Sequence, residues 1–416
     1  MSQQDHYAII GGTLWGNRGA EAMVCTTMAR VREKTPDSRF VLMSYYPAAD
    51  RKLAAGADHV TVDNAIPRML LLVYMPFAML VWLFGLVRLR FPDSLMPARV
   101  RRLRACKALL DVSGISFHDG RIGVLIYNVF CIWPALLMKV PVIHLSQARG
   151  PFNNPLNKLL SKLFLSACTM SWARGRVTAQ YMRELGLPED RWGEAADIAF
   201  SFRDGNSITT ENPERSAALL VGLEAAKTGG KLVVGVSPSS VVLAKTEKLG
   251  IDYPAHFARL VTHLVASGHH VVLLPNATRE GGEGLRNNDI PVLVMVHERL
   301  SPEVRAAVSL VDFDVNTDTI RAIISSCVLL VTSRFHAMVA GLSLVVPVFV
   351  VGWSHKYGEV LEMFDCPDDA IDFAGLSEGL IPAVDTMLTA REDRAARIAK
   401  ALPRVQSSSL RQFEVL

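Results

Sequence analysis

No C-x-x-C pair occurs among the six cysteines of this 416-residue chain. Cys25, Cys106, Cys131, Cys168, Cys327 and Cys366 are scattered, several of them in apolar segments. That spacing speaks against a zinc site or a disulfide framework and for reduced, buried thiols in a cytosolic protein. The opening residues, MSQQDHYAIIGG, lack a basic stretch followed by a long apolar run, so no signal peptide is expected. A G-x-G-x-x-G spacing is missing from the glycine-rich turn near the start, and a dinucleotide fold is not indicated. Internal repeats of short period and low-complexity tracts are also missing. The formal net charge is only +4, which over this length gives no argument for a nucleic-acid partner.

What is present is a folded composition. Half of the residues are hydrophobic and a fifth are charged. The length exceeds one ordinary core and suits two domains. Short apolar runs at 7–11, 39–44, 108–113, 140–146 and 168–172 alternate with helical patterns at 21–34, 155–165 and 176–185, the last closed by Gly186. A polar, turn-rich stretch follows at 201–230, with room for a short helix. A second series then begins at Lys231, with strands expected at 232–238, 270–275, 292–296, 328–332 and 345–351 and helices at 254–267, 317–326, from 333, and at 357–364. The alternation implies α/β architecture: two Rossmann-like, doubly wound parallel-sheet domains facing a cleft. Their expected limits are 1–200 and 231–416, the latter with a C-terminal helix, joined by a linker at 201–230.

In open parallel sheets, ligands sit beyond the carboxyl ends of the strands, so polar residues just after a strand are the candidates. The turn GGTLWGNRGAE places Asn17 and Glu21 after the first strand, where glycines permit close backbone approach and the next helix attracts anions. A generic strand-to-helix turn is the alternative. The loop SGISFHDG carries His118 and Asp119, able to do acid–base or binding work or simply to face solvent. Gln147 opens QARGPF. Arg174 follows the 168–172 strand and can grip a carboxylate or phosphate with two hydrogen bonds; a surface salt bridge is the alternative. The stretch TSRFHAM holds Ser333 as an expected N-cap, with Arg334 and His336 in the first helical turn. A helix N-terminus is already positive and has no need of cations. A bound anion explains them, with Lys356 after the next strand as a third cation; the alternative is a helix end packed under an acidic loop.

Residues 69–87, MLLLVYMPFAMLVWLFGLV, form an uncharged stretch long enough for a membrane span. Strands of one expected sheet lie on both sides of it, so a simple crossing would divide a domain between two compartments. Pro76 interrupts it, and Arg68, Arg88 and Arg90 flank it. Arg99, Arg101, Arg102, Arg104 and Lys107 follow. A re-entrant or interfacial helix fits, its basic residues on anionic headgroups. A core or dimer-interface helix is the alternative.

Taken together, NRGAEA, SGISFHDG, QARGPF, SWARG, AADIAF and SRFHA with the following VVPVFVV and HK resemble the polysaccharide pyruvyl transferase family over nearly the whole chain. That resemblance implies a GT-B-like pair of domains and phosphoenolpyruvate as donor. It also implies transfer of pyruvate, as a ketal, to a sugar of a cell-surface polysaccharide or its lipid-linked precursor. It points to His336 and Arg334 as catalytic and to Arg334, Arg174, Ser333 and Lys356 as donor-binding. Asn17, Glu21, His118, Asp119 and Gln147 are left as acceptor or loop candidates. No clustered metal-ligand motif stands in the sequence, so neither a metal nor a cofactor beyond the donor is expected. The membrane surface is an expected partner through 69–107, with the protein held peripherally or monotopically at the cytoplasmic face of the cell membrane. A nucleotide-sugar glycosyltransferase of the same architecture and a non-catalytic scaffold for polysaccharide assembly are the competing readings.

Overall fold

Near-continuous apolar runs such as residues 7–10 and 329–332 suit strands buried on both faces of a parallel sheet. The computed structural model describes residues 5–120, 122–209, 211–279, 287–352 and 355–416, and in it these runs build two such sheets. The first contains β1 (His6–Ile10), β2 (Arg39–Ser44), β3 (Val60–Asn64), β4 (Ala108–Asp111), β5 (Val142–Gln147), β6 (Met170–Arg174) and β7 (Trp192–Ala195), in the order β3-β2-β1-β4-β5-β6-β7. The second contains β8 (Val233–Ser237), β9 (His270–Leu273), β10 (Val308–Leu310), β11 (Leu329–Thr332), β12 (Val348–Gly352) and β13 (Ala370–Asp372), in the order β10-β9-β8-β11-β12-β13. All pairings are parallel. The strand order reverses between β1 and β4 in one sheet and between β8 and β11 in the other. Such switch points open a crevice at the strands' carboxyl ends.

The chain divides into two compact units, one of residues 5–14, Met23–Phe202 and Ser407–Leu416, the other of Trp15–Ala22 and Arg203–Gln406. The units depart from the expected domain limits at three places. The stretch expected as a linker with a short helix belongs to the second unit from Arg203 on, and its helix runs over Pro213–Thr228. The last ten residues belong to the first unit, because Gln412 accepts from Ser146 N at 2.7 Å and Ser409 Oγ donates to Asp197 O at 2.8 Å. Trp15–Ala22 belongs to the second unit, where Arg18 N donates to Asn276 O at 3.1 Å. Residues 292–296, expected as a strand, lie in the helix Ile290–Glu298. A short apolar run reads alike in either form, and here Pro291 in the first turn selects the helix.

The first core gathers Ile10, Val41, Leu109 and Val142 from the strands with Leu70, Tyr74 and Ala78 from the helix Pro67–Leu86. That helix widens to a π-turn over Leu70–Tyr74, just before Pro76, which has no N–H to give to the preceding turn. The second core packs Val234, Val236, Leu329 and Val331 against Phe257, Leu260 and Val261 of the helix Tyr253–Ala266.

Candidate active site

At the switch point of the second sheet, β11 ends in Thr332 and the chain turns through Ser333 and Arg334 into the helix Phe335–Ser343. The N-cap is Arg334 rather than Ser333; its N–H donates to Thr332 Oγ1 at 2.9 Å, in place of a bond within the helix. Ser333 is buried and held from both sides. Tyr253 donates its hydroxyl to Ser333 Oγ at 2.7 Å, and Tyr357 donates to the Ser333 carbonyl at 3.0 Å. That clamp fixes the direction in which Arg334 leaves the strand.

Arg334 is gripped by a residue that sequence reasoning missed. Nε donates to Asp289 Oδ1 at 3.0 Å, Nη2 reaches the same oxygen, and Nη2 donates to Ser240 Oγ at 3.0 Å. Asp289 is wholly buried and also accepts from Ser240 N at 3.0 Å, Asn276 N at 3.2 Å and Ala277 N at 2.9 Å. It therefore joins the ends of β8 and β9 to Arg334. Among the described residues, Arg334 Nη1 has no hydrogen-bond partner, which leaves two N–H groups for an anion. Lys356, the other expected cation, lies over the rings of Phe335 and Tyr357, 5.1 and 5.4 Å from their centroids. Such cation–π contact holds the ammonium in place while keeping its charge.

His336 is half-buried in the first turn of the helix Phe335–Ser343, and it lies against Gly19. A Cβ added at Gly19 would stand 2.2 Å from His336 Cγ and Nδ1, so only glycine lets the imidazole lie against the start of the helix Arg18–Lys34. Asn17 caps that helix, accepting from Gly19 N at 3.0 Å and Ala20 N at 3.3 Å. Its side-chain oxygen thus fastens the start of that helix.

Glu21 is likewise corrected from candidate acceptor ligand to buried support. It sits beside Arg18, 2.9 Å from Nη1, with both side chains buried. Thr317 N donates to it at 3.1 Å and Thr209 lies 3.1 Å away. Glu211 and Asp314 face the same arginine, so three carboxyls share one guanidinium. Burial pushes the Glu21 carboxyl up from 4.5 to about 7, with Arg18 opposing and Glu211 reinforcing the shift. Burial also raises Glu211, against the pull of Arg18.

A carboxyl raised on folding binds its proton more tightly in the folded state. Stability from this group is therefore full below 4.5, falls as pH rises to about 7, and is level above. The loss is on the order of 3 kcal/mol. Urea unfolding of wild type and Glu21→Gln at pH 5 and pH 8 checks this. The variant should gain on the wild type by about that amount between the two, whereas a constant difference would mean Glu21 is ionised throughout.

The first unit places its candidates differently. Arg174 is the last residue of β6, and Nη1 lies 2.7 Å from Asp197 with both side chains buried. The guanidinium is thus paired inside the protein, which agrees with the salt-bridge alternative except that the pair is buried and not at the surface. Gln147 is buried; its amide donates to Asp111 O at 2.9 Å, and its carbonyl accepts from Arg149 at 3.1 Å and from Ser116. Asp119 ties its loop to the helix Pro155–Ala167, accepting from Asn153 N at 2.7 Å and Asn157 Nδ2 at 2.8 Å. His118 Nδ1 lies against the carbonyl of Asp119. Gln147 and Asp119 thus hold the loops in place, and His118 and Asp119 are half-buried. At the switch point itself, Asp111 and His144 form a fully buried pair at 3.0 Å. The carboxyl is held below its ordinary range by that bond despite burial, and burial lowers the imidazole.

Among the described residues, no three His, Cys, Asp or Glu side chains are grouped to hold a metal ion.

A family model described as polysaccharide pyruvyl transferase matches residues 17–355. Among the curated proteins, none matches the chain. Solved structures share its fold. The UDP-GlcNAc 2-epimerase from Neisseria meningitidis, bound to UDP-GlcNAc, is 11% identical with a TM-score of 0.56, over 98% of this chain and 97% of that one. The UDP-N-acetylglucosamine 2-epimerase from Rickettsia bellii is 11% identical with a TM-score of 0.51, over 98% and 97%. At these identities the likeness is one of fold alone, and the fold is GT-B-like.

Proposed function

The chain belongs to the polysaccharide pyruvyl transferase family, and we propose that it moves pyruvate from phosphoenolpyruvate onto a saccharide as a ketal. The observation that carries this reading is Arg334. It is held at the switch point by buried Asp289 with Nη1 left for an anion, and His336 is its neighbour but one in the chain. Phosphoenolpyruvate brings a phosphate and a carboxylate, and Arg334 takes one of them through paired N–H bonds. Lys356 supplies a second positive charge, and the N-terminus of the helix Phe335–Ser343 adds a partial one.

In the proposed reaction, the methylene carbon of the donor gains a proton and its C2 becomes electrophilic. One sugar hydroxyl bonds to C2, the C–O bond to phosphate breaks, and a second hydroxyl completes the ketal. Of the two hydroxyl protons, one ends in the new methyl group and the other leaves with phosphate. No further cofactor enters this balance. His336 is the residue we assign to the proton transfer. The acceptor we propose is a lipid-linked saccharide, met at the cytoplasmic face of the cell membrane through residues 69–107.

A second reading, sugar transfer from a nucleotide sugar, is favoured by one observation: the Neisseria structure of the same fold is bound to UDP-GlcNAc. Calorimetric titration separates the two. Saturable binding of phosphoenolpyruvate, and none of UDP-GlcNAc, is expected; the reverse pattern would replace the first reading by the second.

A further inference from the structure

The helix Pro155–Ala167 is apolar on both sides. Its inner face buries Phe164 and Leu165 beside Asn157 and Ser161, with Ser161 Oγ donating to Asn157 at 2.9 Å. Its outer face carries Leu156, Leu159 and Leu163, the last two 65% and 61% exposed. A helix facing water keeps its outer face polar. This helix packs on the helix Ile122–Leu137, which exposes Ile122 and Ile126. That helix in turn packs on the helix Pro67–Leu86, which exposes Leu72, Leu83 and Leu86 on the side away from its core contacts at Leu70, Tyr74 and Ala78. Three helices packed one on the next thus each expose apolar side chains. A patch built this way marks an interaction surface.

The occupant follows from charge. Residues 67–107 contain eight arginines and lysines against one acidic residue, Asp93, while the whole chain carries a net +4. Lys158 and Lys162 stand exposed on the Pro155–Ala167 helix. At the end of the Pro67–Leu86 helix a groove of about 260 Å³ is lined by Val81, Trp82, Leu86 and Leu89, with Arg104 and Lys139 among its walls. Arg90 lines it too, and Asp93 answers Arg90 at 2.7 Å and Arg104 at 3.1 Å, which leaves the groove with an excess of positive charge. An apolar floor with a cationic rim matches a lipid chain with an anionic headgroup.

A full crossing is ruled out by the sheet. β3 precedes the Pro67–Leu86 helix and β4 follows it, yet both belong to one sheet, in which β1 bonds to both β2 and β4.

We infer that the outer faces of Pro67–Leu86, Ile122–Leu137 and Pro155–Ala167 together form a monotopic docking surface for an anionic phospholipid bilayer, with one lipid seated in the groove. The inference rests on the membrane placement proposed above and is independent of the donor. Its new element is the Pro155–Ala167 helix.

Flotation of the full chain with vesicles of phosphatidylcholine, alone or mixed with phosphatidylglycerol, tests it. Wild type should float with the mixed vesicles, and high salt should weaken but not abolish this, since screening acts on the charge part only. Leu159→Lys combined with Leu163→Lys should weaken flotation about tenfold or more, with the melting temperature and phosphoenolpyruvate binding unchanged. Wild type that ignores both vesicles would overturn the membrane placement itself. Wild type that floats together with an equally bound double variant would overturn the three-helix surface and leave the placement standing. A wild-type dimer that ignores vesicles and is split by the double variant would make this face a contact between two copies, and the inference would be wrong.

Discussion

The Arg334→Lys variant is expected to lose about 100-fold in kcat/KM for phosphoenolpyruvate, chiefly through KM, with its fold intact. Lysine keeps the charge but not the planar fork. It can reach Asp289 or the donor anion, and it cannot hold both, as Nε with Nη2 on one side and Nη1 on the other can. Alanine is the harsher test, and the structure changes what to expect of it. The sequence alone suggests that Arg334→Ala merely empties the donor site. With Asp289 wholly buried beneath it, removal of the guanidinium also strands a carboxylate, at a cost of about 3–5 kcal/mol in stability. Three backbone N–H groups still serve Asp289, which moves the expectation to the lower end. Steady-state kinetics of the lysine variant beside thermal melts of both variants separates the effects. Undiminished kcat/KM in Arg334→Lys would place the anion site elsewhere.

His336→Asn should lower kcat by about 100- to 10,000-fold while the KM for phosphoenolpyruvate moves only a few-fold. Asparagine retains hydrogen-bonding capacity and removes proton transfer. Its smaller side chain also avoids the contact with Gly19 that fixes the ring. The companion variant Gly19→Ala reaches the same end from the other side. Its methyl would fall within 2.2 Å of the ring and displace it, so kcat should fall although His336 remains. If the His336→Asn loss sits wholly in KM, the imidazole is a donor ligand and the proton comes from another group.

Much of the fold was legible because parallel sheets bury both faces of their strands. Continuous runs such as those at β2 and β11 leave little doubt, and αL Gly186 closes its helix where a C-cap glycine should. The polar stretch at 201–230 misled because the helix Pro213–Thr228 buries only Ser216 and Leu223, too few to leave an apolar period. The exchange of Trp15–Ala22 and Ser407–Leu416 between units was invisible for a different reason. It rests on polar bonds such as Arg18 to Asn276 and Ser146 to Gln412, whose partners lie hundreds of residues apart. The same holds for the site. Ser333, Arg334 and His336 are adjacent in sequence and could be read as one motif. Asp289 precedes Arg334 by 45 residues, and nothing marks it beyond its place just before an Ile-Pro helix start. Arg174 read as an exposed anion holder because its partner Asp197 sits 23 residues away on another segment.

The most direct test of the central claim is product analysis. The purified protein is incubated with phosphoenolpyruvate and a lipid-linked saccharide preparation, and inorganic phosphate and saccharide-bound pyruvate are measured together. The account predicts that phosphate and acid-labile, ketal-linked pyruvate appear in equal amounts, and that both vanish in His336→Asn. No phosphate from phosphoenolpyruvate, with UDP released instead when a UDP-sugar is supplied, would contradict it.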